Sequence, residues 1–354
     1  MPNPLVSVIV PAFNAASTVN ETLLSVLAQT YAHIEVIVVD DGSTDDTAAA
    51  VARVAANDPR VRLERRSRSG VAAARNLAIR AASGEFIAPV DADDLWHPSK
   101  LERQLKRFEA GEPDLGLVYS WYRLIDRDGR VLGDGAQPAI EGWVLHQHLQ
   151  WNFVQNGSAP LIRAKALSGL GYEPTLQRQG APGCEDYLLQ LQLSRRWRFG
   201  CAPGFLVGYR RSRDAMSADR GQMLRSHVAM YEILETELSG SARSLCRRKR
   251  IEYQVRLSRN RATAGCASEA AQRLSQALGA NAAHALRILA AEYGRLPALA
   301  LRKLLPTDRM AAPSAPFLDL DPTEGALPWR APSRLRRLAR MDQHGLQNIS
   351  PDRV

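Results

Sequence analysis

Cysteine is scarce in this 354-residue chain: Cys184, Cys201, Cys246 and Cys266, with no CxxC pair and no metal-ligand spacing. A disulfide framework and a thiolate zinc site are therefore excluded, and free thiols in a reducing compartment are expected. Long apolar runs are also missing. The best candidate for a membrane span, residues 284 to 305, is broken by Arg287, Glu292, Arg295, Pro297, Arg302 and Lys303. The N-terminus has no basic stretch ahead of its short apolar run, so no signal peptide is expected. No internal repeat occurs, and no GxGxxG loop follows the first apolar run, so a dinucleotide site would have no glycine turn for its pyrophosphate. A cytoplasmic protein, soluble or held peripherally at the inner membrane face, is the expectation.

What is present is ordinary globular material, with hydrophobic residues at 45% and charged residues at 23%, which excludes a chain disordered or coiled-coil throughout. The formal charge of +9 is unevenly placed. Residues 1 to 220 hold 25 basic and 25 acidic side chains, and residues 221 to 354 hold 21 and 12. The two parts should therefore have different partners.

Over the first hundred residues, short β-branched runs alternate with helical periodicity. Val6 to Val10, Ile34 to Val39, Val61 to Leu63 and Glu85 to Val90 read as strands. Helices are predicted from Thr18, with Glu21 completing a capping box, from about Asp45 to Ala56, and from Val71 to Ala81. Strand-helix alternation is the pattern of a parallel sheet covered on both faces. Further on, Pro98 opens a helix to about Phe108. Leu115 to Ser120, Ala159 to Arg163 and part of Phe199 to Tyr209 read as strands, and Glu185 to Trp197 as a helix. The pattern after Gly221 is almost wholly helical, and residues 306 to 332 read as a Pro/Ala-rich loop or linker. The expected division is a catalytic domain over 1–220, a helical region over 221–305, and a linker with a basic tail over 306–354.

Open α/β sheets bind ligands at the carboxyl ends of their strands. Three polar clusters fall there: Pro11 to Asn14, Asp40 to Ser43, and Asp91-Ala92-Asp93-Asp94. Carboxylates two apart on a loop leaving a strand can present hard oxygens to Mg²⁺ or Mn²⁺, and such an ion keeps positions open for diphosphate oxygens. The same loop could also simply cap the helix that follows.

Taken together, Val6 to Asn14, Val38 to Asp45, Gly70 to Asn76 and Asp91 to Asp94 resemble the nucleotide-binding half of the family 2 glycosyltransferases. The resemblance continues through Asn156-Gly157-Ser158, Gly169 to Tyr172 and Glu185-Asp186 to Tyr209-Arg210, and fades after about residue 220. It implies an α/β GT-A fold, Rossmann-like, with a mostly parallel central sheet, helices on both faces and a C-terminal α-helical region. It further implies an inverting, metal-dependent transfer from a nucleotide-sugar, by preference a UDP-sugar, to a hydroxyl of a glycan or lipid-linked saccharide. Pro11, Ala12, Phe13 and Asn14 would form the nucleoside pocket, and Asp40 would accept from the uracil N3 imide. Arg75 would lie near base or diphosphate. Asp93 would contact Mn²⁺ or Mg²⁺, with Asp91 on ribose or metal and Ala92 between them. Asp186 would be the general base. Plainer roles stand beside these: Asp40 or Asp41 capping a helix, Asn14 shaping a turn, Arg75 solvated on a helix.

Where a histidine often follows Tyr-Arg in that family, this chain has Tyr209-Arg210-Arg211-Ser212-Arg213, whose arginines could clamp a diphosphate or form a surface loop. His146 and His148 read as structural or exposed side chains rather than ligands, and Cys184 as a small packed residue. Arg247 to Arg250 and Arg334 to Arg340 concentrate positive charge. The second stretch could form an amphipathic helix touching anionic lipid, although a solvated face is the simpler reading. No aromatic residues are interleaved with these arginines, which speaks against a nucleic-acid partner. The rival functions are a nucleotidyltransferase, which would need a glycine-rich basic loop where Pro11 to Asn14 stands, and a non-catalytic nucleotide-sugar sensor.

Overall fold

In the computed structural model, residues 3–211, 218–294, 315–323 and 325–344 are described. Two compact units are present. One comprises Met1–Pro174, Leu189–Ser212 and Pro313–Val354, the other Thr175–Leu188 and Arg213–Ala312.

The first unit is built on β1 (Val6–Ala12), β2 (Ile34–Asp40), β3 (Val61–Arg65), β4 (Phe86–Pro89), β5 (Leu95–Trp96), β6 (Leu115–Ile125), β7 (Val131–Asp134), β8 (Leu161–Arg163) and β9 (Arg198–Arg210). These strands form one sheet in the order β3-β2-β1-β4-β8-β6-β9-β5, with β7 beside β6. Pairing is parallel from β3 through β4. Beyond β4 the sheet is mixed: β8 runs antiparallel to β4 and β6, β9 is parallel to β6, and β5 and β7 are antiparallel additions. The mostly parallel character is thus a property of the N-terminal half, where the strand-helix alternation occurs.

Continuous apolar strands are buried on both sides. Val8, Ile9 and Val10 of β1 and Val36 to Val39 of β2 have no exposed surface, as expected of parallel strands covered by crossover helices. Those crossovers are α1 (Val19–Leu27), α2 (Thr47–Asn57) and α3 (Val71–Ala81), and α3 packs on β1 and β2. Next comes α4 (Lys100–Phe108), which starts after Ser99 rather than at Pro98 and packs on β6 and β9. Short α5 (Leu145–Gln150) buries both His146 and His148. Total burial pushes the His148 imidazole down to about 3, and its ring packs against Phe153 and Phe199.

The segment read as a linker and tail is, in its described residues, part of this first unit. Phe317 N donates to Gly129 O, Val131 N to Ala315 O and Phe205 N to Pro322 O. The Phe317 ring, 1% exposed, closes a cluster with Leu95, Ile125 and Val131. Trp329 stacks on Trp151, and α11 (Ser333–His344) packs on α5. Buried Asp342 accepts there from the backbone N–H groups of His146 and Gln147, and the His146 Nδ1 lies 2.7 Å from it. Residues 306–314 and 345–354 of that stretch lie outside the described residues.

The second unit holds α6 (Thr175–Arg178), the start of α7 (Glu185–Leu193), α8 (Arg220–Glu237), α9 (Gly240–Thr263) and α10 (Ala267–Gly294). Helix α9 packs on α8 through Leu224, Val228 and Leu257, and on α10 through Ile251, Val255, Ala277 and Ala285. Much of its basic run is spent internally: Arg247 and Arg250 both donate to Glu235, and Lys249 to Glu252. No helix among the described residues is long and apolar enough to cross a membrane.

If the C-terminal segment is part of the first unit's core, Phe317→Ala should cost about 3–5 kcal/mol of that unit's stability in urea unfolding, the usual penalty for emptying a buried aromatic site. A loss below about 1 kcal/mol would contradict this packing.

Candidate active site

The polar clusters predicted at the carboxyl ends of β1, β2 and β4 do lie on one edge of the sheet, because these three strands are parallel neighbours with β1 in the middle. Ala12 pairs with Asp40 across the last rung of β1 and β2. Just past it, Asn14 adopts a positive φ of 48°, a conformation asparagine tolerates better than most residues. Its Oδ1 accepts from Thr44 N at 2.9 Å, and its own N–H donates to Ser43 Oγ at 2.9 Å. The turn after β1 is thereby tied to the turn after β2. Phe13, beside it, carries the Arg68 guanidinium over its ring at 4.0 Å.

Asp40 is 1% exposed. Its Oδ1 accepts from Ser43 N at 2.9 Å, whereas its buried Oδ2 receives no hydrogen bond, the exposed Arg65 lying 3.5 Å away. A buried acceptor left without a donor is costly and uncommon. Asp41 does something different, accepting from Ser69 N and Gly70 N. Gly70, at φ 93°, is the residue from which α3 starts, so Asp41 anchors the entry to the helix that carries Arg75.

Arg75 is 5% exposed. It forms an ion pair with Asp91 at 2.5 Å and lies over the Tyr172 ring at 4.9 Å. The backbone of Tyr172 is clamped in turn by Asn76, whose side-chain amide donates to Tyr172 O and accepts from Tyr172 N. Resemblance had brought Gly169 to Tyr172 into view without giving it a role. The structure puts it beside Arg75.

The acid loop after β4 concentrates negative charge with few compensating cations. Asp91 is paired with Arg75. Burial, then the neighbouring Asp91 charge, pushes the Asp93 carboxyl up to about 6. Asp94 is fully buried, and burial followed by the charges of Asp93 and Asp91 raises it well above the usual carboxylate range. Its carboxylate accepts from Ser158 Oγ at 2.6 Å, Asn156 Nδ2 at 3.2 Å and Arg210 N at 3.0 Å. Ser158 Oγ also accepts from Asp91 N at 3.0 Å. Nothing in the sequence marked Asp94 as the anchor of this loop, since its three partners lie 62 to 116 residues away.

Two sequence expectations change here. Thr18 and Glu21 do not form a capping box: no side-chain cap bond occurs at α1. The Thr18 hydroxyl donates to Ala92 O, and Glu21 pairs with Arg210. Nor is Arg210 available to clamp a diphosphate. It is 3% exposed, and its guanidinium donates to Asp93 O, Glu21, Asp126 O and Arg127 O. Arg211 is exposed, and Ser212 and Arg213 lie outside the described residues.

Asp186 belongs to the second unit, as the second residue of α7. Cys184 beside it is 2% exposed, and burial raises its thiol far above the ordinary range, as befits a packed side chain. Among the described residues, no group of three or more His, Cys, Asp or Glu is arranged to hold a metal ion. Carboxylates such as those of Asp91 and Asp93 are the donor type that Mg²⁺ or Mn²⁺ takes one or two at a time, with phosphate oxygens and water completing the shell.

The Asp93 titration carries a stability prediction. A carboxyl whose folded value lies above its unfolded value of about 3.9 favours folding while protonated, and that advantage is lost as pH rises through about 6. In EDTA, Asp93→Asn should therefore be more stable than the parent at pH 7.5, by roughly 1–3 kcal/mol, with the difference vanishing below about pH 4. A variant less stable at pH 7.5 would sink this reading of the acid loop.

Residues 7–155 match the model of glycosyl transferase family 2. Over 132 residues the chain is 36% identical to a chondroitin synthase of Pasteurella multocida, covering 37% of this chain and 14% of that protein. Over a match of the same length it is 39% identical to the Escherichia coli UDP-Glc:alpha-D-GlcNAc-diphosphoundecaprenol beta-1,3-glucosyltransferase WfgD, covering 37% of this chain and 51% of that protein. The chain thus spans about half or less of the length of these relatives. Among solved structures, it resembles the mannosyltransferase PcManGT of Pyrobaculum calidifontis in complex with GDP-Man and Mn²⁺, with a TM-score of 0.55, 24% identity, and coverage of 85% of this chain and 81% of that one. The segment that builds the acid-lined edge belongs to glycosyl transferase family 2, and its fold is GT-A.

Proposed function

We propose that this chain is an inverting glycosyltransferase that takes a UDP-sugar as donor and a hydroxyl of a glycan or lipid-linked saccharide as acceptor. The observation that carries the reading is Asp40 Oδ2, a buried acceptor at the carboxyl end of β2 that receives no hydrogen bond and has only the exposed Arg65 guanidinium, 3.5 Å away, as an ion-pair partner. An imide N–H from uracil would supply the missing bond, and guanine and cytosine present no equivalent N3–H. Asn14 and the turns it ties together would shape the pocket, with Phe13 flanking the base. Arg75, steadied by Asp91 and Tyr172, would face the ribose and diphosphate.

Asp93, with Asp91, would hold Mn²⁺ or Mg²⁺, which when bound offsets the negative charge that grows on the leaving diphosphate. Asp186 would take the proton of the acceptor hydroxyl as its oxygen attacks the anomeric carbon. The carbon–oxygen bond to the diphosphate breaks, the nucleoside diphosphate leaves with the electron pair, and the new bond forms on the opposite face of the sugar. A carboxylate suits this task because it is ionised at neutral pH and needs only hydrogen-bond reach of the hydroxyl. The E. coli relative, whose name gives UDP-Glc as donor and a diphosphoundecaprenol-linked sugar as acceptor, supports the donor base and a lipid-linked acceptor.

Calorimetry of UDP, dTDP, GDP and CDP with and without Mn²⁺ tests the assignment. UDP and dTDP share the imide and should bind at least tenfold tighter than GDP or CDP, and Asp40→Asn should erase that preference. Asp93→Ala should remove the Mn²⁺-dependent part of the affinity. Asp186→Asn should bind UDP like the parent while turnover, read as UDP release from UDP-sugar, falls at least a hundredfold. Equal affinity for GDP and UDP would overturn the base assignment, and parent-like turnover in Asp186→Asn would overturn the base catalyst.

A further inference from the structure

The C-terminal segment gives the first unit a second surface that the donor site does not use. Trp151, just after α5, and Trp329, just before α11, lie 5.9 Å apart between ring centroids with their planes 24° from parallel. With Gln150, Pro332, Leu335 and Arg334 they line an open cavity of about 300 Å³, at the small end of the range for ligand sites. Of the residues lining it only Arg334 is charged, and the chain beside it is basic between Glu324 and the buried Asp342. Residues 325 to 341 include Arg330, Arg334, Arg336, Arg337 and Arg340 and no carboxylate. All five arginines are exposed, and none forms an ion pair among the described residues.

Flat indole faces match the C–H faces of pyranose rings, and guanidinium groups pair with carboxylate or phosphate. A bilayer suits this surface less well. Leu335 and Leu338, the side chains an amphipathic helix would insert into lipid, are 5% and 8% exposed and packed into the unit. The indoles are half-buried in a concavity instead of protruding. The cavity is also joined to the donor edge through the chain, since the loop that starts at Trp151 ends at Ser158, whose Oγ bridges Asp91 N and Asp94.

We propose that the Trp151–Trp329 cavity and the arginine face of α11 bind an acidic glycan chain, sugar rings on the indoles and carboxylate or phosphate groups on the arginines, so holding the acceptor outside the donor site. The identification of that chain as the acceptor rests on the transferase reading above; the binding does not, and it is measured separately.

The probes are a hexasaccharide of alternating glucuronate and N-acetylglucosamine, a phosphodiester-linked oligosaccharide of equal length, neutral chitohexaose, phosphatidylglycerol vesicles and a thymidine oligonucleotide. Each is titrated against the full chain by tryptophan fluorescence, with UDP and Mn²⁺ affinity as the control for an intact donor site. One or both acidic oligosaccharides should bind at least tenfold tighter than chitohexaose, and which of the two does so names the anion. Trp329→Ala, and Arg334→Glu with Arg337→Glu, should each weaken that binding at least tenfold, Trp329→Phe should retain most of it, and UDP affinity should stay within twofold. If Trp329→Ala also loses UDP, the exposed Arg337→Glu alone decides, with a loss of at least threefold expected. The proposal is overturned if neither acidic oligosaccharide binds, if the arginine variants bind them like the parent, or if vesicles or the oligonucleotide bind in their place. UDP binding without glycan binding removes this site and leaves the transferase reading standing; the converse removes the donor assignment alone.

Discussion

A carboxyl group sealed away from water holds this candidate site in shape. Asp94 is wholly buried, and a buried polar group left without hydrogen-bond partners is costly whichever form it takes. The chain surrounds it with three donors: a hydroxyl from Ser158, an amide from Asn156 and the backbone N–H of Arg210. The donors come from two segments far along the chain, so satisfying Asp94 fixes the acid loop against the 156–158 turn and the end of β9. The same Arg210 reaches round to Asp93 O, Glu21 and two further carbonyls. Asp91 and Asp93 are therefore presented on a loop whose backbone is held from several sides.

That rigidity holds like charges together against their mutual repulsion. Three carboxyl groups lie within four residues; the charge of Asp91 adds to burial in raising Asp93, and the charges of Asp93 and Asp91 add to burial in raising Asp94, while Asp91 itself is paired with Arg75. Such strain makes sense where a ligand supplies the missing positive charge, and it is the usual signature of a site organised for function over stability. The bondless Oδ2 of Asp40 has the same character. One site shows an excess of negative charge, the other an acceptor without a donor, and a nucleoside diphosphate with a divalent cation would answer both.

How much of this was legible in the sequence depended on distance along the chain. The helix over Val71 to Ala81 and the strands around Val36 to Val39 declared themselves because periodicity is local and their burial is complete. The acid loop was visible for the same reason, an apolar strand ending in carboxylates. What could not be read were pairings across a hundred residues. Thr18 and Glu21 looked like a local cap, yet they serve Ala92 and Arg210. Arg210 looked like a free cation and is a fully engaged strut. The Pro/Ala-rich stretch looked like a linker because its composition is that of a loop, but Phe317 fills a core made by Leu95, Ile125 and Val131. Local composition says nothing of a strap that pairs with strands far upstream. The mixed half of the sheet was read only in part: the strands around Leu115, Ala159 and Phe199 were visible, but their pairing, antiparallel on both sides of β8, was not. Strand β5, two residues long, is too short to show an alternation and is defined by its neighbour.

Whether the carboxyl edge of β1, β2 and β4 is a nucleotide site completed by a cation is tested most directly by a crystal structure with UDP and Mn²⁺, the ion located by anomalous scattering. The manganese peak is expected against the Asp93 carboxylate, shared with the diphosphate, and the uracil N3 should donate to Asp40 Oδ2. Manganese bound elsewhere, or a uracil ring seated away from Asp40, would contradict that reading of the edge.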